Sequence, residues 1–144
     1  MSEHITIVNR KVKFEYEFLD SYVAGIQLVG TEMKPIRKGK VSLVDSFCFF
    51  NNNELFLKNA IIDNDGTAFS HQPNRDRKLL LTKKEIKKLQ RDLTDGLTII
   101  PYKLFTNGRG LVKVEIILGK GKKLHDKRET IKKRDVERSL KNFK

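Results

Sequence analysis

One cysteine, three scattered histidines and no long apolar run are the main shortages of this 144-residue chain, and each closes a class of function. Cys48 cannot form an internal disulfide, and alone it cannot build a metal site. It sits among aromatics in Asp45-Ser46-Phe47-Cys48-Phe49-Phe50, which favours a buried, inert core thiol over a reactive nucleophile. His4, His71 and His125 have no cysteine or helical histidine partners at ligand spacing, so no zinc site is expected. No stretch approaches the roughly 20 apolar residues of a membrane-spanning helix. The start, MSEHITIVNRK, lacks the charged-then-apolar layout of an export signal, which points to a cytoplasmic protein.

Catalytic motifs are missing too. Gly119-Lys120-Gly121-Lys122 lacks both the lead and the following Ser/Thr of a phosphate-binding P-loop. Asp63-Asn64-Asp65-Gly66 has its glycine two positions early for a calcium loop, and Asn74 stands where the bidentate glutamate belongs. No nucleophile elbow or Ser-His-Asp order stands out. The expectation is a protein without catalytic residues, metal or cofactor.

Cationic charge is abundant instead. Thirty Lys and Arg against 18 Asp and Glu leave a formal charge of +12, which calls for a polyanionic partner, nucleic acid or an anionic membrane surface. Apolar content of 38% is low for a compact fold but above that of a disordered chain, and nine phenylalanines supply much of the core. The length fits one domain with an appendage.

Periodicity reads as strand-rich. Val12 to Leu19 alternates, with Phe14, Tyr16 and Phe18 on one face and Lys13, Glu15 and Glu17 on the other, so a half-buried strand is predicted there. A second apolar stretch follows over Gly25–Gly30. Ser42–Phe50 and Glu54–Ile62 flank Asn51-Asn52-Asn53, a hairpin turn because asparagine tolerates left-handed backbone. Leu97–Phe105 and Leu111–Leu118 flank Asn107-Gly108, and Pro101 places its strand at an edge or a bulge. One helix is well marked: Thr82-Lys83-Lys84-Glu85 is a capping box, Leu81 and Ile86 take the staple positions, and Gly96 lies beyond the end. Ile86, Leu89 and Leu93 share one side of it, and Lys84, Lys87, Lys88 and Arg91 form a cationic stripe on the other. About six short strands with a helix between pairs predict an antiparallel barrel of five or six strands, of the oligonucleotide-binding (OB) type, over residues 1–118.

From Gly119 to Lys144 the composition changes. Eleven Lys and Arg face four Asp and Glu, a net +7, and apolar residues are sparse. This segment is predicted to be a basic tail, flexible when free and helical on binding. It offers too little apolar surface for a membrane-bound helix, which disfavours lipid as the polyanion.

Within the barrel region the cations fall in clusters between the strands. Asn9-Arg10-Lys11 precedes the first strand; Lys34, Arg37, Lys38 and Lys40 surround Pro35 and Gly39; Arg75, Arg77 and Lys78 lead into the helix with its lysine stripe. Any one cluster is a solvated face; together they favour a phosphate-binding surface suited to folded RNA.

At these clusters the sequence resembles the SsrA-binding protein (small protein B) family. The residues that carry the likeness are Asn9-Arg10-Lys11, Ala24-Gly25-Ile26, Gly30-Thr31-Glu32-Met33-Lys34, Arg37, Gly39-Lys40 and Asp45-Ser46. Pro73, Arg75, Arg77 to Leu81, Glu85-Ile86, Lys113-Val114, Gly119 to Lys123 and Asp126-Lys127-Arg128 continue it in order. The resemblance covers about residues 9 to 138. It implies an OB-like barrel with about three flanking helices. It also implies a monomeric adaptor that binds the tRNA-like domain of transfer-messenger RNA (tmRNA) and carries it to stalled ribosomes, the tail acting on small-subunit rRNA in the decoding centre and messenger channel. By position, Asn9, Arg10, Lys11, Glu32, Lys34, Arg75, Arg77 and Lys78 match the family's RNA-facing set, to which the exposed cations Arg37, Lys84, Lys87 and Lys88 are added. Glu32 fits two roles equally, an acceptor for base amines or one half of a structural ion pair. His125, Asp126, Lys127 and Arg128 match the tail motif, with His125 placed to stack on a ribosomal base. Met33, Pro35, Phe47 and Thr82 depart from the usual residues, and Pro35 bears on the short helix expected near Ile36–Gly39. The alternative from another class is a structural ribosomal protein, a barrel whose basic extension threads rRNA.

Overall fold

Backbone pairing decides which of these stretches become strands. The computed structural model describes residues 5–64, 66 and 70–122. In chain order they form β1 (Thr6–Val8), α1 (Lys11–Glu15), β2 (Tyr16–Ile26), α2 (Gly30–Arg37), β3 (Val41–Ser42) and β4 (Phe47–Asn51). Then follow β5 (Glu54–Lys58), β6 (Ile61–Ile62), β7 (Arg77–Leu80), α3 (Lys83–Asp92), β8 (Leu97–Thr106) and β9 (Val112–Gly121).

Six strands close on themselves. β2 pairs with β9, β9 with β8, β8 with β4, β4 with β5, β5 with β7, and β7 again with β2, all antiparallel. The ring is thinnest between β4 and β8, where Cys48 opposite Ile99 is the one registered pair. β1 adds to the outside of β8, and β3 and β6 pair separately. This is the OB-like antiparallel barrel expected, carrying three helices among the described residues.

The predicted strand over Val12–Leu19 is corrected in its first half. β9 ends at Gly121 opposite Tyr16, so among the described residues no strand partner remains for Val12–Glu15. Helical turns satisfy that backbone instead, with Val12 N–H donating to Asn9 O at 3.2 Å, and Lys122 N–H closes on Glu15 O at 2.8 Å. Val12 alone in α1 is buried, and Phe14, placed by alternation on a buried face, is 70% exposed. From Tyr16 the strand runs unbroken to Ile26 through a bulge between Phe18 and Asp20.

Left-handed residues make the other breaks. Asn52 and Asn53, at φ 54° and 71°, form the two-residue turn between β4 and β5. Asp45 (φ 61°) and Asn59 (φ 68°) interrupt the two long apolar runs and separate β3 from β4 and β5 from β6. Pro101 sits at a register shift between Pro101 and Lys103, and β8 is flanked on both sides, so the bulge alternative holds.

Inside the ring Ala24, Leu55, Leu57, Leu104, Val114 and Ile116 are fully buried. α2 contributes Ile36 and α3 contributes Leu89 to the same core. Each of these leucine, isoleucine and valine side chains adds about 1.5–3 kcal/mol of burial. α3 is capped as its sequence requires: Thr82 Oγ1 accepts from Glu85 N–H at 3.1 Å, and Glu85 Oε1 accepts from Thr82 N–H at 3.0 Å. Gly96, with φ 86°, turns the chain toward β8. A second, smaller cluster lies outside the barrel, where Val12 covers Ile100 and Ile117 beside Tyr16 and Tyr102.

Candidate nucleic-acid interface

The basic clusters occupy three hollows. At the first, Asn9 is a buried joint: its Nδ2 donates to Leu43 O at 2.9 Å and its backbone N–H to Tyr102 O at 2.8 Å. Arg10 and Lys11 are thereby held at the surface where α1 begins. Lys11 lines a cleft of about 310 Å³ with Tyr16, Asp45, Ser46 and Phe47. Phe47 and Tyr16 were not among the residues predicted for the site; their signal was an aromatic beside the Asp45-Ser46 and Asn9-Arg10-Lys11 motifs.

The second hollow lies on α2. Gly30, Thr31, Lys34, Lys38, Lys40 and Asp63 line about 420 Å³. Lys34, Lys38 and Lys40 are exposed, as is Arg37 outside the lining. Pro35 lies inside the helix, which nevertheless runs to Arg37. The helix is held from below by His71, whose Nε2 donates to Ile62 O at 2.8 Å. In a neutral ring this leaves Nδ1 to accept from Thr31 Oγ1 at 2.9 Å. Nothing in the sequence around His71 marks that role.

The third is a groove of about 450 Å³ between α3 and β5–β7. Leu80, Leu81 and Ile86 form its floor, and Lys78, Lys83 and Lys87 its rim. Lys78 Nζ also pairs with Glu54 Oε2 at 2.7 Å, a surface contact of small energy. Lys84 is exposed on the same helix.

Asn9, as described, is buried, and two further residues expected to face RNA are corrected. Glu32 and Arg77 are fully buried. Arg77 Nε and Nη2 approach Glu32 Oε2 at 2.8 and 2.7 Å. The rest of its fork donates to Ala60 O and Arg75 O from Nη1, and to Pro73 O from Nη2, each at 3.0 Å. A guanidinium satisfied on so many sides has no donor to spare for RNA. Glu32 therefore takes the ion-pair role of its two. It also accepts from Val29 N–H at 2.9 Å, fixing the start of α2, and from Arg75 Nε and Nη2, both at 2.8 Å. Burial by itself would raise the Glu32 carboxyl, but bonds from Arg75, the Val29 amide and Arg77 outweigh it and hold it below the usual carboxylate range. Arg75 remains 30% exposed at the lip of this network.

Lys88 lies at the surface but has protein partners. Its Nζ reaches Asp20 Oδ2 at 2.6 Å, Tyr22 Oη at 3.2 Å and Asp92 Oδ2 at 3.5 Å. Lys88 is 47% exposed, so it stays on the cationic face of α3 with Lys84 and Lys87 while also strapping that helix to β2. The Asp20 hydrogen bond pushes the Lys88 ammonium up and draws the Asp20 carboxyl down.

His125, Asp126, Lys127 and Arg128 lie outside the described residues. Among the described residues, no three His, Cys, Asp or Glu side chains come close enough to hold a metal ion. Cys48 is buried, and burial pushes its thiol far up.

A closed antiparallel barrel, capped by helices and bearing three lysine-lined hollows, defines an OB-like protein of the kind that meets polyanions. The chain belongs to the SmpB family, whose model, described as "SmpB protein", matches residues 6–144. It is 55% identical to the SsrA-binding protein of Christiangramia forsetii, over 97% of this chain and 91% of that one. It is 50% identical to that of Flavobacterium psychrophilum, over 100% and 98%. Among solved structures it is similar to a chain described under "tmRNA-SmpB: a journey to the center of the bacterial ribosome". That chain has a TM-score of 0.71 and 41% identity, over 96% of this chain and 99% of the other.

Proposed function

We propose that this protein binds the tRNA-like domain of tmRNA and delivers it to stalled ribosomes for trans-translation. The barrel carries the RNA, and the basic tail acts in the decoding centre and messenger channel; β9 runs on through Gly119 to Gly121, so the tail starts later than the expected Gly119. The observation that carries the reading is likeness over nearly the whole chain to SsrA-binding proteins and to a chain from a tmRNA–SmpB structure. The three hollows agree with it. Arg10, Lys11, Lys34, Arg37, Lys84 and Lys87 make no ion pair among the described residues and present their charge to phosphates, while Asn9, Glu32, Arg75 and Arg77 hold the surfaces that carry them. Tyr16 and Phe47 add faces on which bases stack. The protein works as a monomeric, cytoplasmic adaptor without catalytic residues. Among the described residues no helix is long and apolar enough to cross a membrane.

The test is recovery of the chain from a bacterial lysate with sequencing of the RNA it holds, followed by affinity for that RNA against salt. tmRNA should dominate, and log affinity should fall by roughly 0.7–0.9 per neutralised phosphate per decade of salt. Bound RNA without tmRNA enrichment, or an affinity indifferent to salt, refutes the reading. A structural ribosomal protein would instead stay with subunits through high-salt sedimentation.

A further inference from the structure

α1 leaves one sheet face half covered. Val12 closes over Ile100 and Ile117, with Tyr16 and Tyr102 at the margin. Beyond that margin Phe18 on β2 is 39% exposed, followed by the exposed Leu19 and Val23. Phe18 meets Tyr102 edge to face, with centroids 5.3 Å apart and planes at 73°. Cations frame the pair: Lys13 Nζ lies 5.6 Å and Lys103 Nζ 5.5 Å from the Tyr102 ring centre. Lys122 Nζ, donating to Lys13 O at 3.1 Å, stands beside them.

We propose that this face, centred on Phe18 and Tyr102, is a stacking platform for an unpaired nucleobase of the bound RNA, with Lys13, Lys103 and Lys122 on the flanking phosphates. The proposal rests on the RNA-binding reading above and adds a contact to it. Charge selects the occupant. An apolar protein surface would have to bury three lysines, of which Lys103 has Glu115 opposite it in the β8–β9 register. RNA offers π-faces for the rings and anions for the lysines together.

Two further points support it. The platform is continuous with the cleft on the other flank of α1, since Val12, Tyr16 and Ile100 line both; a strand leaving the cleft has only the five-residue α1 to cross. The lysines now over Tyr102 are also replaceable. A cation over an exposed ring is worth about two- to fivefold in an equilibrium, whereas a stacked base is worth roughly 5- to 150-fold. A base therefore displaces a lysine, and the lysine turns to the adjoining phosphate.

The experiment uses the full chain with a single-stranded oligoribonucleotide carrying one 2-aminopurine, and separately with the tRNA-like domain of tmRNA. Tyr102→Leu and Phe18→Leu keep apolar packing but remove the π-face; Tyr102→Phe keeps the face. Thermal melting establishes that each variant is folded. The wild type and Tyr102→Phe should quench 2-aminopurine, and the leucine variants should lose the quenching with at least fivefold weaker oligonucleotide binding. Lys13→Ala should retain quenching while lowering the salt slope. Unchanged quenching and affinity in both folded leucine variants overturn the platform. Failure of the wild type to bind the tRNA-like domain overturns the functional reading itself.

Discussion

Arg77 and Glu32, 45 residues apart, share one carboxylate oxygen: Nε and Nη2 of the arginine lie 2.8 and 2.7 Å from Glu32 Oε2, and neither side chain is exposed. The pair joins β7 to the first turn of α2, and through Arg75 and the Val29 amide it orients the helix that carries Lys34 and Arg37. A residue type that reads as a phosphate ligand is here the buttress behind the surface.

Removing Glu32 leaves the buried Arg77 charge unanswered, and removing Arg77 leaves the buried Glu32 with Arg75 as its one cation. Glu32→Gln or Arg77→Met should cost about 3–5 kcal/mol, lowering the melting temperature by roughly 10 °C or more. Arg77→Lys should rescue little, because an ammonium cannot reproduce the fork that reaches Glu32, Ala60 O and Pro73 O. Calorimetry checks this, and a melting temperature within two degrees of wild type would contradict it.

The same carboxylate sets an acid limit. Its folded pKa is depressed, so the unfolded chain binds the proton more readily. The Glu32 contribution is therefore complete above the unfolded value of about 4.3 and is lost as pH falls through the folded value. Asp20, drawn down by Lys88, acts in the same direction. Urea midpoints should stay level from neutral pH toward 5 and drop below about 4. The drop should shrink in Glu32→Gln, and an equal drop in that variant would show that another group is responsible.

The stripe on α3 should divide by function. Lys84→Ala and Lys87→Ala should each lower the salt slope of RNA binding by roughly 0.7–0.9. Lys88→Ala should leave the slope nearly unchanged and loosen α3, because Asp20 and Tyr22 already hold that ammonium. Slopes measured against potassium chloride, with hydrogen exchange at Leu89 and its neighbours, separate the two effects.

Deleting residues 125–144 should keep most affinity for tmRNA and abolish tagging of stalled nascent chains. A reconstituted translation reaction on a messenger without a stop codon reads both, and full tagging by the shortened chain would refute the division between barrel and tail.

Cys48 should resist thiol reagents in the folded protein and react fully in denaturant, since burial favours the neutral thiol. Rapid labelling of native protein would place that side chain at the surface.

Local chemistry was legible wherever neighbours in sequence are neighbours in space. Thr82 with Glu85, Gly96, and Asn52 with Asn53 specify their cap and turns through contacts within a few residues. The strands beside Asn107 needed little more than alternation and a turn. Phe14 misled because a period of two says where side chains alternate and nothing about whether a partner strand exists, whereas Tyr16 and Phe18 lie in β2 as expected. β9 stops opposite Tyr16, so Val12–Glu15 coiled into α1. The cation clusters were visible as composition, yet Arg77 turned inward once its distant partner Glu32 was in place.

By itself, the sequence determined the charge, the capped helix, the turns and the ordered motifs that mark the family, because all are carried by residue type and short spacing. Tertiary structure alone decided that Arg77 supports, Lys88 straps and Lys11 faces solvent. Whether a cation meets a phosphate or a carboxylate depends on which side chain the fold brings within three ångströms, and those partners lie tens of residues away.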